Sequence, residues 1–482
     1  MTLTTNTALL TDLYQLTMMN GYVEAGIADR MACFDLFFRQ LPFGGGYAVA
    51  AGLEDALDYV ANLRFSREDI DYLASLNLFP VKFLEQLSEF RFTGEINALP
   101  EGTLVFPFEP ILQVRGTLLE AQFLETALLN IVNFQTLIAT KAARIWESSD
   151  RAPVIEFGLR RAQGPNGGMS ATRAAYIGGC EATSNILAGK EFGIPVSGTM
   201  AHSWIMAHPD ELTAFRAYAK IYPNKSIFLV DTFDTLREGI PHAITVGKEM
   251  KSQGHSLMGI RLDSGDLAYL SIEARQMLNE AGLHDVKIVA SNDLDEWIVE
   301  ALRHQGSKID IWGVGTKLVT AAPDSALGGV YKLVALADER GEMRPRIKIS
   351  QNVEKTTTPG EKAVYRIFDC NANMIADVMA LSNEPPPSDT SVVIHHPQIE
   401  YKFSRIDTIH RIESLLVTVF AKGKRLLPHT DIQKIRARTK AQLDSLHSTH
   451  RRLTNPHSYR VGFSKTLREL KGAMIKENME RV

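Results

Sequence analysis

The chain has 482 residues, more than one ordinary hydrophobic core contains, so we expect a main domain with one or two smaller ones. Hydrophobic residues make up 45% and charged residues 22% of the chain, which is typical of globular proteins. The formal net charge of −4 gives no reason to expect nucleic acid or a membrane surface as a partner. No run approaches the roughly 20 apolar residues that a membrane span requires.

The three cysteines, Cys33, Cys180 and Cys370, lie far apart and show no CxxC spacing. This usage is typical of reduced thiols and argues against structural zinc. The first residues have no basic segment leading into an apolar core, so we expect no signal peptide. Together these features predict a cytoplasmic protein.

The first 90 residues are predicted to be mostly helical, with Thr11 or Asp12 capping a helix that carries Tyr14. Residues 91–120 alternate Pro and Gly with β-favouring residues, which predicts a compact antiparallel β unit. A long helix follows, from about Gln122 to Ser148. Its two late cations, Lys141 and Arg144, are either partners of the helix dipole or phosphate contacts, and the sequence does not decide between these roles.

Strand patterns return from Gly329 to about Phe368 and are expected to pair with residues 91–120. A β-rich domain would then be built from both flanks of the chain. The section from Asp431 onward is predicted to be helical and basic, with a solvated or subunit-facing role favoured over nucleic-acid binding.

The stretch from Pro153 to Leu318 alternates short apolar runs with helical patterns. The runs are PVIEF, IPVSG, SIFLV, LMGIRL, VKIVA and IDIWG. They begin about every thirty residues, which is typical of successive βα units with parallel strands. Gly, Arg, His, Asp, Ser and Thr follow these runs. In a barrel or open α/β sheet the carboxyl ends of the strands form the face where ligands bind, so an active site is predicted there.

The predicted face combines three kinds of group. Arg160, Arg161 and Arg261 offer planar donors for carboxylate or phosphate. The segment 313–316, GVGT, offers backbone N–H groups and a hydroxyl that suit a phosphate monoester. Acidic groups that suit Mg²⁺ or ribose hydroxyls come from Asp231, Asp234, Asp263, Asp266 and Asp293. The set predicts a polyanionic, sugar-bearing, Mg²⁺-chelated substrate, although each residue alone is equally compatible with a structural role.

His202, in the segment SGTMAHSW, is the histidine of greatest interest because it follows a predicted strand among small residues. It is either a general base, a nucleophile that accepts a phosphoryl group, or a structural strand-end histidine. No P-loop motif is present, and GVGTKL lacks the third glycine of a dinucleotide fingerprint.

Several motifs resemble nicotinate phosphoribosyltransferases. They are LLTDLYQLTMMNGY, LPFGGGYAVAAGLE, EFGLRRAQG, AAYIGGCEATSNILAGKEFGIPVSGTMAHSW, RLDSGDL, WGVGTKL and KISQNVEKTTTPGEKAVYR. The resemblance covers at least residues 8–368. It implies a type II phosphoribosyltransferase fold, an irregular α/β barrel with a flanking β-rich domain formed from N- and C-terminal segments. We expect segments at 1–120, 121–328 and 329–482, the second of them the barrel.

The resemblance also implies a reaction. Nicotinate, phosphoribosyl pyrophosphate (PRPP), ATP and water would give nicotinate mononucleotide, pyrophosphate, ADP and phosphate, with Mg²⁺, in a homodimer with composite active sites. His202 matches the transiently phosphorylated histidine. Tyr14, reaching over from the neighbouring subunit, and Phe157 match the residues that stack on the pyridine ring.

Further positions follow from the same resemblance. Arg160 and Arg261 match residues near nicotinate and the PRPP phosphates, and Asp263 matches a catalytic residue near the ribose. Gly313, Gly315 and Thr316 match the 5′-phosphate site, and Arg39 and Lys141 are further possible contacts. One departure is Glu181, where relatives commonly carry Asp.

Three alternatives stay open. They are the same fold acting on nicotinamide, a barrel glycoside hydrolase that uses Asp231 and Asp263, and a non-catalytic binding relative.

Overall fold

The computed structural model of the chain describes residues 8–399 and 401–480. Its helices are α1 (Leu13–Glu24), α2 (Leu53–Asn62), α3 (Arg67–Ser75), α4 (Val81–Ser88), α5 (Leu118–Phe123), α6 (Glu125–Ser148), α7 (Gly164–Ile177), α8 (Ile186–Phe192), α9 (His202–Met206), α10 (Glu211–Ile221), α11 (Ile240–Ser252), α12 (Leu267–Glu280), α13 (Glu296–His304), α14 (Thr316–Val319), α15 (Ile432–Ser445) and α16 (Lys465–Met479).

The strands follow the same chain order. They are β1 (Met31–Phe38), β2 (Ala48–Val49), β3 (Glu95–Ala98), β4 (Leu104–Val105), β5 (Leu112–Thr117), β6 (Val154–Glu156), β7 (Ala182–Thr183), β8 (Ile227–Leu229), β9 (Gly259–Leu262), β10 (Lys287–Ala290), β11 (Ile311–Val314), β12 (Gly329–Ala337), β13 (Met343–Pro345), β14 (Lys362–Phe368), β15 (Met374–Leu381), β16 (Val392–His395), β17 (Phe403–Ile406), β18 (Arg411–Ser414), β19 (Val417–Ala421), β20 (Lys424–Arg425) and β21 (Val461–Phe463).

The chain divides into two compact units. The flanking unit contains the described residues up to Thr140 and those from Ala326 onward, and the central unit is Lys141–Ser325. The three segment boundaries expected from the sequence stay predictions.

The flanking unit contains a seven-stranded sheet in the order β13-β12-β1-β5-β3-β19-β20. Strands from both flanks of the chain therefore share one sheet, as the sequence predicted. The pairing differs in detail, because β12 pairs with β1 and not with residues 91–120. Strand β1 has the apolar sequence MACFDLFF and is buried along most of its length, as suits an inner strand with β12 on one side and β5 on the other.

A second sheet of the flanking unit has six strands in the order β17-β16-β21-β15-β14-β18. Strand β14, which the sequence assigned to the first sheet, pairs here with β15 and β18. Between these neighbours Arg366 is fully buried and paired with Asp377, whose side chain is equally buried. A buried ion pair of this kind needs a specific register, because a slip of one residue would leave both charges uncompensated.

The central unit is organised around a six-stranded sheet in the order β7-β6-β11-β10-β9-β8. Every strand pair in it is parallel, which confirms the predicted βα series. Strands β6 and β8 are buried at all three positions, as expected for parallel strands covered by helices on both faces.

The predicted irregular α/β barrel is not confirmed, because among the described residues this sheet does not close and β7 and β8 are its end strands. The run IPVSG was expected to supply a further strand. It contributes one isolated parallel bridge, between Thr183 and Val196. Pro195 has no N–H group to donate, and Gly198 follows three residues later. This run therefore has little capacity to extend the hydrogen bonding of the sheet.

The two late cations of α6 belong to the interior of the central unit. Lys141 is fully buried and pairs with Glu296, which also accepts a hydrogen bond of 3.0 Å from Arg144 Nε. Lys141 is therefore a structural ion-pair partner and does not present its ammonium group to a substrate phosphate.

Candidate active site

The candidate site lies at the carboxyl ends of the parallel strands of the central unit. Phe157 follows β6, Asp231 follows β8 by two residues, and Ser291 follows β10. Arg261 is the third residue of β9, and Asp263 comes directly after that strand. Because parallel strands end at one edge of the sheet, residues far apart in sequence meet there.

Arg261 lies at this edge of the sheet and donates three hydrogen bonds to neighbouring side chains. Its Nε donates to Ser291 Oγ at 2.8 Å, Nη1 donates to Thr199 Oγ1 at 3.0 Å, and Nη2 donates to Asp263 Oδ1 at 2.8 Å. The guanidinium carbon also lies 5.7 Å from the centre of the Phe157 ring. The orientation of the guanidinium is thus fixed by the protein, which leaves its remaining N–H groups for an anion.

Asp263 is an ionised carboxylate in this network. Burial alone would raise the pKa of its carboxyl, but the hydrogen bond from Ser291, the charge and hydrogen bond of Arg261 and the proximity of His202 outweigh burial and lower that pKa. The result is a negative charge held in place next to a positive one, at partial exposure to solvent.

Asp231 anchors the turn after β9. Its Oδ2 accepts hydrogen bonds from the Asp263 amide at 3.0 Å and from Ser264 Oγ at 2.6 Å. The side chain is 9% exposed, and its Oδ1 has no hydrogen-bond partner. A buried carboxyl oxygen without a hydrogen-bond partner is costly, so this atom is suited to a ligand that brings a cation or a hydroxyl group.

His202 is the first residue of α9 and its side chain is 42% exposed. Its Nδ1 lies 3.1 Å from Thr232 Oγ1, and its Nε2 lies 4.0 Å from Asp263 Oδ2. When Nδ1 donates its proton to Thr232, the lone pair of the neutral ring is on Nε2, which faces the site.

Phe157 packs directly against strand β11. A Cβ atom at Gly313 would lie 2.7 Å from the Phe157 ring, closer than real side chains approach. A Cβ atom at Gly315 would lie 3.2 Å from the Phe157 carbonyl oxygen. The position of the Phe157 ring thus requires glycine at Gly313, and Gly315 allows close approach of the Phe157 backbone. The phosphate-binding role of the segment from Gly313 to Thr316 stays a prediction.

Arg160 and Arg161 lie in the single turn of 3₁₀ helix at Leu159–Arg161, directly after β6. Both are exposed, and neither forms an ion pair with any residue that the structure describes. Arg160 therefore keeps its full donor set for a ligand, in contrast to Arg261.

Two of the five predicted aspartates have a structural role. Asp234 Oδ1 accepts from the amides of Leu236 and Arg237, and Asp266 Oδ1 accepts from those of Ala268 and Tyr269. These are N-terminal helix caps, and the following residues carry the helical pattern that a cap requires. Asp293 is exposed after β10.

Tyr14 and Arg39 belong to the flanking unit. Tyr14 lies on α1 and is 46% exposed, and burial together with Glu125 raises the pKa of its hydroxyl. Its predicted stacking role in a composite site stays a prediction. The guanidinium carbon of Arg39 lies 5.8 Å from the centre of the Phe37 ring. Burial lowers the pKa of the Arg39 guanidinium group.

Sequence reasoning missed several residues that build the site. Glu156 accepts hydrogen bonds from the amide of Gly158 and from the hydroxyls of Thr172 and Thr183, the latter two at 3.0 and 2.6 Å respectively. Its signal was a carboxylate inside the apolar run PVIEF. Ser291 and Thr199, which orient Arg261, gave no local signal because Ser and Thr occur at many strand ends.

Two general properties complete the description of the site. Among residues 8–399 and 401–480, no group of three or more His, Cys, Asp and Glu side chains is arranged to hold a metal ion. In the same part of the chain, no helix combines the length and the apolar character needed to cross a membrane.

Comparison with known protein families covers most of the chain. Residues 9–133 match the nicotinate phosphoribosyltransferase N-terminal domain, residues 153–373 match the nicotinate phosphoribosyltransferase family model, and residues 361–471 match the C-terminal domain. The chain belongs to the nicotinate phosphoribosyltransferase family.

Two relatives in sequence and one solved structure support the assignment to the nicotinate phosphoribosyltransferase family. The nicotinate phosphoribosyltransferase of Bacillus subtilis (strain 168) is 47% identical over 476 residues, with 98% of this chain and 96% of that protein covered. The one from Caenorhabditis elegans is 38% identical, with coverage of 95% and 92%. The crystal structure of human nicotinic acid phosphoribosyltransferase superposes with a TM-score of 0.85 at 33% identity, covering 96% of this chain and 99% of that one.

Proposed function

We propose that this protein transfers the phosphoribosyl group of PRPP to the ring nitrogen of nicotinate. The pyridine nitrogen would form a bond to the anomeric carbon while the bond from that carbon to pyrophosphate breaks, giving nicotinate mononucleotide and pyrophosphate. The observation that carries the proposal is the Arg261–Asp263–Ser291 network beside Phe157, in a member of this family.

The network has the charges that such a transfer needs. Positive charge develops on the ribose in the transition state, and the ionised carboxylate of Asp263 would stabilise it. Negative charge develops on the departing pyrophosphate, and the remaining N–H groups of Arg261 would stabilise that. Because hydrogen bonds fix both groups before the substrate arrives, little reorganisation is required during the reaction.

The Phe157 ring would form one wall of the nicotinate site, with Tyr14 of a second copy as the other wall in a homodimer. Arg160 is the better candidate for the nicotinate carboxylate, because it is exposed and has no acidic partner among the described residues. Arg261 would contact the PRPP phosphates and one edge of the ring. Gly313, Gly315 and Thr316 are proposed to hold the 5′-phosphate.

ATP coupling through His202 is the second part of the proposal. Nε2 would attack the γ-phosphorus of ATP, the bond to the β–γ bridging oxygen would break, and ADP would leave. Water would later cleave the phosphorus–nitrogen bond and release phosphate. The contact of Nδ1 with Thr232 supports Nε2 as the nucleophile, because the lone pair of the neutral ring is on Nε2 when Nδ1 donates its proton to Thr232.

Mg²⁺ fits the same edge of the sheet. The carboxylates of Asp231 and Asp263 would hold it, the buried Oδ1 of Asp231 being an oxygen without a protein donor. One or two carboxylates are typical for Mg²⁺ that binds together with substrate phosphates. When bound, the ion supplies charge compensation for the leaving pyrophosphate.

The proposal is tested with purified protein, PRPP, Mg²⁺ and either nicotinate or nicotinamide, with and without ATP, and with product detection by chromatography. We expect nicotinate mononucleotide and pyrophosphate in equal amounts and little nicotinamide product. Preference for nicotinamide would show that the amide is the substrate. Absence of any PRPP-dependent product would refute the proposal.

A further inference from the structure

A cavity of about 230 Å³ lies within the flanking unit and involves none of the residues proposed for catalysis. Its walls come from the hairpin of β16 and β17, from the segment before β21, and from Pro107 and Phe108. This volume is below the about 300–1,000 Å³ of sites for drug-sized ligands, so the cavity suits a ligand of about one ring.

The polar lining of this cavity carries basic groups. Lys402 and Arg460 both line it, and neither has an acidic partner among the described residues. None of the described residues that line the cavity is acidic. Two cations at the mouth of a concave apolar wall concentrate the positive potential there, and Arg460 can bind a carboxylate or phosphate in bidentate fashion.

His396 adds a neutral donor to this lining. Its Nδ1 accepts from the amides of Gln398 and Ile399, at 3.1 and 3.0 Å, so the ring proton of the neutral form is on Nε2. Burial, and then the charge of Lys402, lower the pKa of the His396 ring. The ring is therefore neutral near pH 7 and offers an N–H group without a charge.

Three aromatic rings supply the apolar wall, those of Phe108, Phe403 and Tyr459. Tyr459 is rigidly held, because its ring stacks on Phe106 at 3.9 Å between centroids and its hydroxyl donates to Asp377 at 2.9 Å. A flat, fixed ring such as that of Tyr459 favours a planar ligand because it loses little freedom when the ligand binds.

The backbone that carries the cations is also fixed. The Arg460 carbonyl oxygen accepts from the Asp377 amide at 2.8 Å, and the Lys402 carbonyl oxygen accepts from the His396 amide at 2.9 Å. The backbone at the base of both cations is thus formed before any ligand arrives, which lowers the cost of binding.

We propose that this cavity is a second ligand site that binds a small aromatic anion, a single ring bearing a carboxylate or phosphate. The proposal does not depend on the proposed reaction. Its chemistry overlaps with nicotinate, so the experiment must separate the two sites.

Binding is measured by calorimetry with phenyl phosphate and with benzoate. The pocket variant is Lys402→Gln/Arg460→Gln, and the matched control is Lys440→Gln/Arg452→Gln, two exposed cations of the same unit that make no described ion pair. Arg261→Ala removes the anion site of the central unit. Thermal unfolding followed by circular dichroism establishes that each variant folds.

We expect at least one of the two anions to bind wild type, and the dissociation constant to rise at least fivefold in the pocket variant. The dissociation constant should stay within twofold of the wild-type value in the control variant and in Arg261→Ala. Unchanged affinity in the pocket variant, or loss of all binding in Arg261→Ala, would overturn the proposal.

Two further probes test each half of the ligand. Inorganic phosphate should bind at least tenfold more weakly than phenyl phosphate, and benzyl alcohol at least tenfold more weakly than benzoate. Equal binding of phosphate would contradict the role of the rings, and equal binding of benzyl alcohol would contradict the role of the cations.

Discussion

Arg261 and Asp263, two residues apart in the sequence, hydrogen-bond to each other through Nη2 and Oδ1 at 2.8 Å, and both contact the hydroxyl of Ser291. The residue between them, Leu262, is fully buried in the sheet. Side chains at i and i+2 of a strand project to the same face, so the strand geometry itself aligns the two charges. The pair is therefore a preformed dipole at the edge of the sheet.

Asp263→Asn is expected to lower kcat/KM for phosphoribosyl transfer by about 10²–10³-fold, because it removes the charge proposed to stabilise the developing positive ribose. Initial rates at varied PRPP concentration measure the effect. Asp285→Asn, an exposed aspartate ahead of the neighbouring strand β10, is the matched control and should retain wild-type rates. A similar loss in both variants would show that the effect is not specific to the Arg261 partner.

His202→Ala is expected to retain a slow PRPP-dependent activity and to lose its stimulation by ATP, because the proposed phosphoryl acceptor is gone. Rates with and without ATP measure this, and mass spectrometry after incubation with ATP and Mg²⁺ should find acid-labile phosphate on His202 in wild type. His255→Ala, a surface histidine of the same unit, should behave as wild type. An ATP response in His202→Ala equal to that of wild type would exclude the phosphohistidine.

Arg160→Ala is expected to raise KM for nicotinate by about 10–100-fold, since loss of one charge-assisted hydrogen-bonding partner costs about 1.5–3 kcal/mol. The neighbouring Arg161→Ala is the control, because Arg161 is also exposed and lies in the same turn. If Arg160 binds the nicotinate carboxylate, the Arg160→Ala substitution should also reduce the ratio of kcat/KM for nicotinate to kcat/KM for nicotinamide. A larger effect from Arg161 would reassign the contact to that residue.

Gly313→Ala is expected to displace the Phe157 ring, because the new methyl group would lie 2.7 Å from it. We expect kcat/KM for nicotinate to fall at least tenfold, with KM for PRPP changing less. Gly328→Ala is the control, because no atom lies within 4 Å of the place that its new methyl group would take, and its φ is outside the left-handed region. Unchanged nicotinate kinetics in Gly313→Ala would mean that Phe157 does not contact the ring.

Lys471 predicts a pH dependence of stability. Burial, and then the charge of Lys362, lower the pKa of its ammonium group to about 8. In the unfolded chain the group keeps its proton up to about pH 10.4. Between these values the unfolded state binds more protons, so stability rises with pH, and below about pH 8 the full cost of the buried charge is present.

Lys471→Met should therefore stabilise the protein at pH 7, by about 1–3 kcal/mol, and should flatten the rise in stability between about pH 8 and pH 10. Urea unfolding at several pH values measures the difference from wild type. Lys476→Met, an exposed lysine on the same helix, should leave both the stability and its pH dependence unchanged. Destabilisation by Lys471→Met at pH 7 would contradict the prediction.

Local sequence determined the βα series of the central unit, because apolar runs of five or six residues and intervening helical periodicity are properties of neighbouring residues. It also placed polar residues at the strand ends, which brought Arg261, Asp263 and His202 into view. It could not separate Asp263 from Asp266, since both follow the same strand. Only the fold shows that Asp266 caps a helix while Asp263 pairs with Arg261.

Tertiary structure alone decided the remaining roles, because they depend on contacts between residues far apart in sequence. Lys141 forms an ion pair with Glu296, 155 residues away, and its side chain is fully buried. The partners of Arg261, Thr199 and Ser291, lie 62 and 30 residues from it. No local pattern encodes such distances, since only the packing of helices, strands and loops in the fold brings these atoms within bonding range.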